Sequence, residues 1–241
     1  MLKKISKNQL FNDNHGWLNT FHHFSFARYY NPERMGFGQV RVINNDYIAP
    51  RTGFETHPHK DMEIISIPLE GKLEHKDSMG SIGVISKGEI QVMSAGTGVQ
   101  HSEYNGSKTE DVKFLQIWVF PREINVEPRH NQIRIDDTEK LNDFQQILSP
   151  NPDDEGVWIH QDAWFNLAKF QSGVQKTYTI NKSGNGVYVF VLKGEVKIGD
   201  QILESRDGFG IWETDSFELE ASQDSEVFLM EVPMELPSYL Q

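Results

Sequence analysis

The 241-residue chain contains no cysteine. That absence excludes disulfides, thiolate zinc sites, iron–sulfur clusters and cysteine nucleophiles, so any metal bound here must use nitrogen and oxygen donors. Long apolar runs are missing too, and no stretch could span a bilayer. After Met1-Leu2-Lys3-Lys4 the chain reaches Asn12-Asp13-Asn14 without the apolar stretch of a signal peptide. The expectation is a cytoplasmic protein with no membrane partner. Positive charge is scarce: 23 Lys and Arg face 35 Asp and Glu, a formal charge of −12. The densest basic cluster is Lys3, Lys4 and Lys7, a solvated tail rather than a patch. Phosphate backbones would repel such a chain, so no nucleic-acid partner is expected.

What the sequence does have is 19 glycines and 15 phenylalanines among short Val/Ile runs, the pattern of many strands joined by tight turns. The predicted class is all-β. The order of parts repeats. Ile67 to Glu74 and Val191 to Ile198 each read as strand, Gly turn, strand, about Gly71 and Gly194. A second glycine follows in each, Gly88 and Gly208, and then a matching apolar run, Val112 to Ile117 and Val227 to Val232. These pairs are offset by 123, 120 and 115 residues, a drift that suits a duplicated β-unit with unequal loops. The division is placed at 1–130 and 131–241. Near the junction, Leu141, Phe144, Ile147 and Leu148 are spaced as one face of a short amphipathic helix over 138–148.

Seven of the nine histidines precede the polar junction stretch at 127–154. His57-Pro58-His59 puts two imidazoles at i and i+2, which project from one face of a strand. His101-Ser102-Glu103 repeats that spacing, so pairing the two strands inside a barrel would bring three imidazoles and a carboxylate together. Spacing leaves a second carboxylate open: Glu63 lies four residues after His59, and its parity aims it inward. The second half offers only His160, and the places matching His57 and His59 fall near Ile180 and Lys182, so one metal site is expected. For His22, His23, His75, His130 and His160 structural or surface roles are expected.

The words from His57 to Asn105 carry a resemblance. His57-Pro58-His59, Leu69-Glu70-Gly71, Glu74-His75-Lys76-Asp77-Ser78-Met79-Gly80 and Met93-Ser94-Ala95-Gly96-Thr97-Gly98-Val99-Gln100-His101-Ser102-Glu103 together resemble pirin-type proteins of the cupin superfamily, in particular bacterial members described as quercetinase-like. The resemblance implies a bicupin: two double-stranded β-helix (jelly-roll) barrels in tandem, the first holding metal and the second degenerate. It implies His57, His59, His101 and Glu103 as ligands, which leaves Glu63 behind them. The expected ion is iron(II), with nickel, copper, manganese and zinc also compatible with such donors.

The implied activity is oxidative ring cleavage of a flavonol such as quercetin by dioxygen, as in quercetin 2,3-dioxygenase, with Glu103 as general base. Phe24, Phe26, Met62 and Met93 are the candidate walls of the slot for a flat aromatic substrate. The alternative implied by the same resemblance is a metal-dependent regulator that binds protein partners. A monomer is expected.

Overall fold

The Val/Ile runs form four antiparallel-rich sheets, two in each half, in a computed structural model that describes residues 1–135 and 141–240. In the first half a seven-stranded sheet runs in the order Arg129–Arg134, Glu89–Ser94, Glu63–Glu70, Val112–Val119, Val40–Ile48, Leu18–His22, Phe11–Asn14. A four-stranded sheet, Gly53–His59, Val99–Asn105, Lys72–Asp77, Ile82–Ser86, closes over it. The second half repeats this with Leu2–Ile5, Gly208–Ile211, Asn185–Lys193, Ser225–Pro233, Trp164–Phe170, Phe144–Ser149 and Val157–Trp158 against Gln175–Thr179, Ser216–Ala221, Glu195–Ile198 and Gln201–Glu204. The repeated runs found in the sequence occupy equivalent places in the large and small sheets of the two halves. The molecule is a bicupin, two jelly-roll barrels in tandem.

Burial explains why the two kinds of sheet read differently. Lys72–Asp77 alternates exposed and buried, as a strand with one wet face must. Glu63–Glu70 and Asn185–Lys193 are buried over six and seven consecutive residues. Each large sheet faces its own barrel on one side and the other half on the other. The shared core between them contains Ile43, Ile65 and Ile117 from the first half and Phe165, Tyr188 and Phe228 from the second.

Two expectations need correction. The division at residue 130 cuts through Arg129–Arg134, which pairs with Glu89–Ser94 in the first barrel, while Leu2–Ile5 pairs with Gly208–Ile211 in the second. The first strand thus crosses to the other half and fills the edge position that Arg129–Arg134 fills at home. The helix over 138–148 is also overturned in part: positions 138–140 lie outside the described residues, and Phe144–Ser149 is a strand paired with Trp164–Phe170. Its register shifts between Gln146 and Leu148. Such a bulge lets neighbouring Ile147 and Leu148 both be buried, and the result imitates helical spacing.

Candidate metal centre

Gly53–His59 and Val99–Asn105 pair antiparallel with His57 opposite His101. Side chains of one parity on Val99–Asn105 are buried, which turns His101 and Glu103 into the barrel. The outcome is a close convergence: His101 Nε2 lies 3.0 Å from His59 Nε2 and 3.0 Å from His57 Nε2. His57 Nδ1–H donates to the Glu55 carbonyl at 2.7 Å, which leaves its Nε2 lone pair facing the cluster.

A ring nitrogen has one proton or one lone pair, so His101 Nε2 can hydrogen-bond to only one of its two neighbours. A shared cation removes the conflict. Two ligand nitrogens about 2.1 Å from one ion sit about 3.0 Å apart at a right angle and about 3.4 Å apart at the tetrahedral angle. The observed separations of 3.0 Å match the right angle. Burial, followed by the charge of His57, lowers His59 to about 4; burial, followed by the charges of His57, His59 and His75, lowers His101 to about 2. Both rings are therefore neutral at ordinary pH, as metal ligation requires.

The two carboxylates have different surroundings. Glu103 is 1% exposed and groups with His75 and His101, with one ligand atom from each within 4.8 Å of the others. Gln116 Nε2 donates to Glu103 Oε2 at 2.9 Å, and Ser66 Oγ lies 3.0 Å from Oε1. Burial above all, with help from the nearby Asp46 carboxyl, pushes Glu103 up to about 7. Glu63 faces away. It shares its strand face with Ile65 and Ile67 of the core between the barrels, accepts from Ser94 Oγ at 2.7 Å, and feels Arg129 and Arg122. Ile64 and Ser66 take the barrel side. The inward parity expected of Glu63 fails because Asp61, at φ 48°, breaks the chain between the two strands, and alternation does not carry across such a break.

The expected pocket walls also separate. Phe24 belongs to the core between the barrels, 5.4 Å from the Tyr188 ring, and not to the histidine cluster. Phe26 meets the Trp118 edge at 5.2 Å, and Trp118 in turn meets His59 at 4.9 Å. Met93 is fully buried with Ile64, Ala95 and Val99, and Met62 packs on that group beside Trp118. Trp118 itself, with a buried Nε1–H that has no partner among the described residues, borders the site and is not singled out by the sequence. His75 was assigned a structural or surface role. It is buried, bonded through Nε2 to Asp77 Oδ2 at 3.0 Å, stacked on His130 at 4.9 Å, and 5.4 Å from the His101 ring.

A pH experiment follows from Glu103. A folded pKa raised from 4.5 to about 7 means that the folded protein binds the extra proton between those values. The resulting stability is fully present below pH 4.5 and lost as pH rises through 7. In metal-stripped protein, wild type is expected to lose roughly 3 kcal/mol relative to Glu103→Gln between pH 4.5 and 8. Urea unfolding at the two pH values measures this, and equal pH dependence of the two proteins would refute it.

The Pirin family profile matches residues 4–119, and that of the quercetinase C-terminal cupin domain matches residues 146–232. A protein named quercetin 2,3-dioxygenase from Escherichia coli K12 is 44% identical over 91% of this chain and 94% of its own. A pirin-like protein from Caulobacter vibrioides is 38% identical over 90% of this chain and 93% of its own. The crystal structure of bacterial pirin YhhW from Escherichia coli in complex with nickel(II) superposes with a TM-score of 0.91 at 41% identity, covering 97% of this chain and 99% of that one. With both halves matched and its histidines gathered in the first barrel, the chain belongs to the pirin family.

Proposed function

We propose that this protein is a metal-dependent dioxygenase that cleaves a flavonol of the quercetin type. The observation that carries the reading is the approach of His57 and His59 Nε2 to within 3.0 Å of His101 Nε2, with the buried Glu103 carboxyl grouped on the same histidine. The name of the Escherichia coli relative supports the choice of substrate. Iron(II) is the ion we assign, and the near-right-angle spacing suits iron, nickel or manganese better than tetrahedral zinc.

A divalent metal held by these residues supplies a Lewis acid that makes the flavonol 3-hydroxyl easier to deprotonate. The chain's own groups do the rest. Glu103, poised near neutrality, is matched to accept that proton at ordinary pH, and Gln116 fixes its Oε2 by a 2.9 Å bond. Trp118 offers an aromatic face beside His59 and an unpaired N–H for an oxygen atom of the substrate. Dioxygen is the co-substrate, and carbon monoxide is lost as the heterocycle opens. Iron-loaded protein mixed with quercetin in air is expected to bleach the flavonol absorption and release carbon monoxide. Absence of turnover with iron, nickel, copper, manganese and zinc alike would end this reading.

A further inference from the structure

We propose that the cleft between the two barrels binds a small organic carboxylate with an apolar body, gripped by Arg206. This cleft has a volume of about 460 Å³, within the range of small-molecule sites. None of His57, His59, His101 and Glu103 lines it. Its floor is apolar, with Ile67 and Leu69 from the first half facing Leu167 and Leu192 from the second. Its rim is cationic. Among the described residues, Lys87, Lys113, Lys169, Lys193 and Arg206 line it against Glu70, Glu89 and Glu226, and Lys113 is paired with Glu70 at 2.8 Å. In a chain of charge −12 this is a local reversal of sign.

Arg206 gives the cleft its chemistry. Its backbone is at φ 75°, a conformation that a long side chain adopts only when the surroundings impose it. A bond from its N–H to the Val191 carbonyl at 2.7 Å holds that turn. The guanidinium crosses the seam and lies 3.8 Å from the centroid of the Phe21 ring, on the other barrel. In that position Nε and Nη2 are buried without a hydrogen-bond partner among the described residues, and so is Oδ1 of Asn45, which also lines the cleft. Buried unpaired guanidinium donors are expensive, and a carboxylate satisfies two of them in parallel. The strained turn, the ring stacking and the two idle donors together present a fork to whatever enters between the barrels. The apolar floor selects an anion with a hydrocarbon or aryl body over inorganic phosphate or sulfate.

Calorimetric titration of the full chain, metal-loaded and metal-stripped, with octanoate and 3-phenylpropionate tests this. One site per chain is expected in both forms, with octanol and 3-phenylpropanol at least about tenfold weaker. Arg206→Gln is expected to weaken octanoate about tenfold or more. Lys193→Glu, on an exposed rim side chain, is expected to weaken it severalfold with thermal unfolding unchanged. His101→Ala is expected to leave binding intact. The proposal is overturned if octanoate does not bind, if the alcohols bind as tightly as the acids, or if binding is lost in His101→Ala but kept in Arg206→Gln.

Discussion

His101→Ala is expected to lower metal affinity by about 10²-fold or more. The estimate starts from the 10- to 100-fold losses that accompany removal of groups behind a metal's ligands, so loss of a donor must do at least as much. His101 is the pivot of the cluster: its Nε2 is the atom that approaches both other imidazoles, and the residue also belongs to the group with His75 and Glu103. Without it, His57 and His59 remain on one strand with no imidazole opposite them on Val99–Asn105. Competition against a chelator measures the change. Thermal unfolding gives an independent reading, because an ion that binds only the folded chain raises its melting temperature, and that increment is expected to vanish in His101→Ala. A variant that retained the ion with native affinity would mean that the three nitrogens do not share it.

Much of this site was legible because strand alternation is a rigid rule. His57 and His59, and His101 and Glu103, lie at i and i+2 within continuous strands, so alternation puts each pair on one strand face. The same rule failed for Glu63, where the count ran through the turn at Asp61. Ser66 and Gln116 carried a signal that went unread. Each is a polar residue inside an otherwise apolar strand, at Ile65-Ser66-Ile67 and Leu115-Gln116-Ile117, and register pairs them opposite one another beneath Glu103. A buried polar residue in such a run needs a partner, and here that partner is the Glu103 carboxyl. Trp118 and His75 were beyond local reading, since their approach to the histidines depends on how the two sheets of the barrel close. The repeat of strand and glycine turn revealed the two barrels, yet the passage of Leu2–Ile5 into the second barrel leaves no periodic trace.

The second barrel has its own buried carboxylate, and its removal is expected to have the largest effect on stability. Glu231 is 0% exposed and lies on the central strand Ser225–Pro233. Tyr178 Oη donates to it at 2.9 Å, Asn181 Nδ2 at 2.8 Å, Asn185 Nδ2 at 2.9 Å, and the backbone N–H groups of Asn181 and Lys182 at 3.0 and 3.1 Å. Asn181 and Lys182 fall at the place where repeat spacing puts the counterparts of the first barrel's His57-Pro58-His59. There the first barrel gathers imidazoles, and the second closes its backbone around a carboxylate that every neighbour can satisfy. Glu231→Ala removes the acceptor from five donors, of which those of Tyr178 and Asn185 are buried while Asn181 and Lys182 lie at the surface, a loss of the kind that costs about 3–5 kcal/mol. For a chain of this size the melting temperature is expected to fall by roughly 10 °C or more. Glu231→Gln keeps the shape and an acceptor oxygen but replaces the other oxygen with a donor facing donors, so an intermediate loss is expected. Calorimetry of metal-loaded wild type and both variants orders the three. If Glu231→Ala melted within a degree or two of wild type, the network would be holding nothing together. If the metal content of the first barrel stayed at one ion per chain while the second loosened, the division of labour would be direct: one half carries the chemistry, and the other half supplies the wall against which it is held.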